Sequence, residues 1–384
     1  MPSGIGRLKR RASSMRLTDI PQVVKDLRNA TYEAKEKQLR LLDIVAGQHH
    51  ENPGALVAAG AVELLVDAVS KGNDGAQLFA ASTLARIAAA SSEHQLKIIA
   101  AGGIIPLVKL LRTGSNKAQE HAAYALAELS NQQVHQGPIL KAGIVLPVVR
   151  LLRSDVTEDA HLYAAEVVAN LSVRNSRAQQ AFHEAGAVPL LLAQLHSGKS
   201  QTSIAKALTS LLSPSAEFGA PANRDIQEEI AKGEGVALLL ALLSGMSTAS
   251  QVAGAQALSH LARENESLQG IIAKAGAIPS LLALLKIKHH DVRAHAASAL
   301  AQLTRRNREN QDNLAKAGGT EQLVNLLSNS TSLRVQAMCA FALTEVCRDN
   351  RANQTEAADL NCIPLLVGKL KHDPKSEHGA EVRL

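Results

Sequence analysis

Six Ala-Gly pairs divide the chain at a nearly constant interval: Ala59-Gly60, Ala101-Gly102, Ala142-Gly143, Ala185-Gly186, Ala275-Gly276 and Ala317-Gly318. Each opens an apolar stretch of one pattern, from AGAVELLVDAV at Ala59 to AGGTEQLVNLL at Ala317. A unit of about 42 residues recurring this often predicts an array in which each copy packs on its neighbours. Two further copies fill the Gly position differently: GEGVALLLALL from Gly233 has Glu234 there, and LNCIPLLVGKL from Leu360 has Asn361. Asn tolerates the left-handed conformation that closes a helix and Glu tolerates it poorly, so Glu234 is expected to mark the least regular joint.

Composition agrees with helices. The 384 residues include no Trp, 3 Tyr and 4 Phe, and Ala and Leu fill the apolar positions, which suits closely stacked helices better than a sheet. The longest apolar run, near Val236 to Leu243, is too short to cross a bilayer, and the N-terminus lacks the apolar core of a signal peptide. A cytoplasmic or nuclear protein without a membrane span is expected. Cys339, Cys347 and Cys362 have no CxxC spacing and read as small hydrophobes; neither a metal nor a cofactor is expected. The net charge of +6 resides mostly in residues 1–18, where Arg7, Lys9, Arg10, Arg11 and Arg16 face no acid and contribute +5. Residues 1–18 are expected to be a disordered basic tail and residues 19–384 a near-neutral array, which argues against nucleic-acid binding along the repeats.

Within one copy, a short helix precedes the Ala-Gly pair, a second helix follows it with Pro often in its first turn (Pro106, Pro147, Pro189, Pro279, Pro364), and a longer third helix comes after a polar turn. The third helices align on two rows that are apolar in every copy. One runs Leu41, Leu84, Leu126, Val168, Leu208, Leu258, Leu300, Leu343; the other, three residues on, runs Ile44, Ile87, Leu129, Leu171, Leu211, Leu261, Leu303, Val346. They are expected to form a continuous core through eight repeats. An incomplete N-terminal copy starts near Ile20-Pro21, and an incomplete C-terminal one ends with Val382-Arg383, expected to open a ninth third helix.

The order of short helix, Ala-Gly, Ile/Val-Pro helix, a Val-Arg or Leu-Arg start (Val292-Arg293, Leu333-Arg334) and an A-x-A-L-x-x-L third helix resembles the armadillo repeat over nearly all of residues 19–384. KAQEHAAYALAELS from Lys117 is similar to the repeats that follow the U-box in plant ubiquitin ligases, although no U-box is present. The resemblance implies an all-α, right-handed superhelical solenoid of three-helix repeats whose concave groove, lined by third helices, binds extended segments of other proteins.

Between the apolar rows every third helix carries a polar residue: Asp43, Arg86, Glu128, Asn170, Ser210, His260, Gln302, Glu345. Rows four and seven residues earlier share that face. They read Ser82, Tyr124, Glu166, Lys206, Gln256, Ser298, Phe341, and Phe79, His121, Tyr163, Ser203, Ala253, His295, Met338. Four of the seven aromatics, Phe79, Tyr124, Tyr163 and Phe341, fall there and are expected binding anchors. The pattern departs from importin alpha, whose basic cargo peptides meet repeated Asn and Trp; here Asn stands only at Asn170 and Trp is missing, so a nuclear-import-type adaptor is disfavoured. Arg263, Arg305 and Arg348 form a basic track suited to an acidic or phosphorylated partner segment, as in beta-catenin-like grooves, with Glu264 and Asp349 as competing local partners.

Three more features are expected to matter. The spacing from Ser210 to His260 exceeds its neighbours because of SPSAEFGAPAN, Ser213 to Asn223, which reads as a surface loop carrying Phe218. Arg10-Arg11-Ala12-Ser13 resembles a basophilic kinase site, making Ser13 a candidate phosphosite. Without a ninth third helix, Ile363, Leu366 and Val367 would remain uncovered, as in a fragment of a longer array or a chain that self-associates end to end. No catalytic constellation is placed by the repeats: Gly233-Glu234-Gly235 follows no strand, and the histidines lack HxxxH spacing. The chain reads as a non-enzymatic interaction scaffold or adaptor, with an architectural spacer, for example in a cytoskeletal assembly, as the alternative.

Overall fold

A helix of this period needs a device that stops it and restarts the chain at an angle, and each joint supplies one. The computed structural model describes residues 4–153, 156–195, 199–214 and 223–370; among these there is no strand. All six Ala-Gly glycines take positive φ, from 73° at Gly318 to 93° at Gly276, a region that costs a residue with a Cβ free energy. Asn361 takes the same conformation at 58°, as its residue type predicts. Glu234 does not: its φ is −93°, and Gly233 one residue earlier takes the left-handed turn at 66°. The expected irregular joint is therefore rebuilt by shifting the turn onto the neighbouring glycine. Gly235 then lies so close to the preceding helix that a Cβ there would sit 1.8 Å from the Ile230 carbonyl.

Contacts divide the chain into two compact units, Met1–Leu190 with Gly198–Ser203, and Leu191–Ser197 with Ile204–Leu384. In the first unit the third helices of repeats one to four, Tyr32–Ala46, Asp74–Ala90, Asn116–Ser130 and Glu158–Ser172, stack one on the next. In the second unit the same holds for repeats six to eight, Thr248–Ala262, His290–Thr304 and Leu333–Cys347. The third helix of repeat five is Gln201–Leu211. Arg351–Asp359 and Cys362–Leu370 are the first and second helices of a ninth repeat. Both apolar rows are buried throughout except at Ile44, which lies in the incomplete first repeat and is half-buried.

One expectation changes at the N-terminus. Instead of a disordered tail, residues Gly4–Ser13 form a helix. Leu8 and Ala12, one turn apart, are 7% and 0% exposed, and the helix packs against Tyr32–Ala46, so a single small apolar edge suffices to dock an otherwise basic segment. Ser13 is exposed in the last turn of this helix with its hydroxyl donating to the Lys9 carbonyl at 2.9 Å. At the other end, Ile363 and Val367 are 61% and 43% exposed and Leu366 is half-buried. The helix expected at Val382-Arg383, and Phe218 with most of its loop, lie outside the described residues. The three cysteines are free thiols. Burial pushes the Cys339 thiol up to about 12, in keeping with a hydrophobe's role.

Candidate functional site

The polar row is not simply solvated. Because successive third helices stack almost side by side, a polar side chain between two core rows can reach the last turn of the helix before it, and Arg86, Asn170 and His260 do so. Asn170 is the clearest case, its amide donating to the Ala127 carbonyl at 3.1 Å, Ser130 Oγ at 3.0 Å and Asn131 Oδ1 at 2.9 Å. Arg86 reaches back to Asp43 at 3.3 Å, and His260 Nδ1 lies 3.2 Å from the Thr209 carbonyl. Ser210 and Glu345 are buried, Gln302 is half-buried, and Arg86 alone in the row is exposed. Orphan carbonyls at the helix ends are satisfied in this way. Three members of the row thus tie one repeat to the next, while Glu128 and Glu345 bond within their own repeats.

The basic track is largely neutralised. Arg348 makes a bidentate pair with the buried Glu345, with both nitrogen–oxygen distances 2.9 Å, so two expected groove residues satisfy each other. Arg263 lies 3.5 Å from Glu264. Arg305 is half-buried and meets no carboxylate among the described residues. All three cap third-helix C-termini, where a cation is favoured by the helix dipole without any ligand.

The earlier rows hold the surface with the strongest features. In the first unit Tyr124 and Tyr163, one repeat apart, stack with ring centroids 4.5 Å apart and 19° between their planes, both half-buried. Carboxylates frame them. Burial, then Tyr124, Asp159, Glu120 and Glu166, push the Tyr163 phenol up to about 12. Burial first, then Glu166, raises the Glu128 carboxyl; Tyr124 is raised by burial and by Glu128. Glu120 is held the other way by hydrogen bonds from Thr157, at 2.6 Å, and Lys117, which outweigh its burial. Phe79 carries the Arg40 guanidinium 5.3 Å above its ring. His121 is lowered, mainly by burial.

In the second unit the corresponding surface is a cleft of about 450 Å³ lined by Lys206, Thr248, Gln256, Asp291, His295 and Arg334 among others. Phe341 is half-buried beyond it, on the third helix of repeat eight. Of the expected site residues, Tyr124 and Tyr163 form a stacked pair beside Glu128, His295 lines the cleft, and Arg86, Asn170 and His260 bond to the preceding repeat. Phe79, Phe341, Gln302 and the Arg263, Arg305, Arg348 track with Glu345 stand apart from these. The sequence pattern placed Lys206, Gln256 and His295 on the right rows but read Arg334 only as the start of a helix. Among the described residues no cluster of His, Cys, Asp or Glu could hold a metal ion, and no single helix is long and apolar enough to cross a membrane.

Comparison with known proteins fits this geometry. The armadillo/beta-catenin-like repeat profile matches residues 91–131, which span the whole third repeat. Two engineered proteins, solved as crystal structures by the Northeast Structural Genomics Consortium, are similar in structure. One is 30% identical, with a TM-score of 0.81, covering 96% of this chain and 87% of its own. The other is 30% identical with a TM-score of 0.54, covering 64% of this chain and 97% of its own. No curated protein matches the sequence.

Proposed function

The chain belongs to the armadillo-repeat family, and on that premise we propose that it is a non-catalytic scaffold or adaptor whose third-helix face binds an extended segment of another protein. The observation that carries the reading is the Tyr124–Tyr163 stack. Few aromatics exist in this chain, and two of them occupy adjacent repeats on a half-exposed face where the core does not require them. A stacked pair is a rigid, wide apolar anchor that loses little entropy on binding. Its frame of Glu128, Asp159 and Glu166 favours a segment that brings a cationic side chain over the rings, Glu120 being already paired with Lys117. A cytoplasmic or nuclear location goes with this role.

The reading is tested by selecting displayed twelve-residue peptides on the full chain, then comparing the winners against Tyr124→Ser/Tyr163→Ser. The selected peptides should bind the parent and lose at least about tenfold against the variant, as for truncation of a central anchor. Peptides that bind both proteins equally contradict it.

A further inference from the structure

We propose that the cleft of the second unit binds a phosphorylated side chain of the partner segment. This rests on the reading above and adds to it the chemistry of a second contact.

The cleft draws on successive third helices. Lys206 comes from repeat five, Thr248 and Gln256 from repeat six, Asp291 and His295 from repeat seven, and Arg334 from repeat eight. Thr248, Asp291 and Arg334 lie in the first turns of their fifteen-residue helices, so the first turns of three helices line the cleft. Lys206 is exposed and meets no carboxylate among the described residues.

Arg334 is held in place by two contacts. Its Nη1 lies 3.0 Å from Asp291 Oδ1 and its Nη2 2.9 Å from His295 Nε2. The Gln256 amide reaches the same Nε2 at 3.2 Å. Two donors converging on one ring nitrogen require that nitrogen to be the acceptor, so the imidazole is neutral with its proton on Nδ1. Burial, reinforced by Arg334, accordingly drives His295 down to about 4. Among the described residues, a neutral His295 leaves Asp291 as the only carboxylate lining the cleft against Lys206 and Arg334. The cleft is thus a cationic surface with its guanidinium already oriented, the remaining N–H groups of Arg334 and the Lys206 ammonium being available to a ligand. A carboxylate offers one charge to these donors, whereas a phosphoryl group offers nearly two and three acceptor oxygens.

The test uses the full chain and three acetylated pentapeptides, Ala-Ala-X-Ala-Ala, with phosphoserine, serine or glutamate at X. Binding is followed by phosphorus NMR of the peptide and by the His295 ring and Gln256 amide signals of the protein. The phosphoserine peptide should shift both protein signals, and Lys206→Glu should weaken it at least about tenfold, while Lys274→Glu, an exposed lysine on the first helix of repeat seven, leaves it unchanged. Lys206 is exposed, so its variant is expected to fold. Arg334→Gln, which keeps a donor toward His295, should weaken binding by a similar factor. No binding, equal binding of the glutamate peptide, or indifference to Lys206→Glu overturns the proposal. Should those occur while tyrosine-dependent peptide capture persists, only the phosphoryl contact is refuted and the groove reading stands.

Discussion

At the level of single residues, the chemistry of the third-helix face is decided by what each polar group already touches. Asn170 and Arg348 were legible as polar positions, but spacing alone could not show that their partners are a preceding helix end and a glutamate three residues away. Asn170→Ala should therefore lower unfolding stability by about 1 kcal/mol in urea titrations, because it removes the bonds to the preceding repeat while Ser130 Oγ still donates to the Ala127 carbonyl at 2.8 Å. His295 makes a pH prediction with a definite sign. Its folded pKa lies near 4, below the unfolded value of about 6.5, so the unfolded chain binds more protons between those values. Its contribution is fully present above about pH 6.5 and is lost as pH falls toward 4. His295→Gln should flatten the fall in melting temperature across that window. It should not abolish it, since His121 and His260 are lowered in the same direction.

At the level of elements, what repeats is a pair of turns. The Gly turn after each first helix was legible because only one residue type fits it well. The turn after the third helix was not, since it places Arg174, Glu264, Arg306 and Asp349 at φ of 53–55° where no glycine advertises it. What identifies it afterwards is the following Asn, at 175, 265, 307 and 350, which accepts a hydrogen bond from the third amide of the next helix. Asn350 also donates to Gln311 Oε1 at 3.1 Å and Asp312 Oδ1 at 2.8 Å, joining two repeats. Asn350→Ala should cost about 1–2 kcal/mol by urea or thermal unfolding, at the upper end of a lost cap. Gly235→Ala should cost about 3 kcal/mol or more in the same assay, because its Cβ would overlap the Ile230 carbonyl. The N-terminal helix escaped the sequence because two small apolar contacts, Leu8 and Ala12, were outweighed by five cations in a composition-based reading.

For the whole molecule, the all-helical repeat and its core were legible because both follow from a period and from two apolar rows that every copy keeps. The division of labour on the surface was not, because burial and pairing depend on the neighbouring repeat. What distinguishes the face is a tyrosine pair held in an acidic frame, and its value as an anchor is the central claim. The most direct measurement places the photocrosslinking residue p-benzoylphenylalanine at Tyr124, where an aromatic ring is kept, or at Ile105, a 72% exposed position on the second helix of the same repeat, and irradiates cells expressing each variant. The account predicts discrete protein adducts from position 124 that a peptide selected on the parent chain suppresses, and none of these from position 105. Adducts that are equal at the two positions, or confined to position 105, would contradict it.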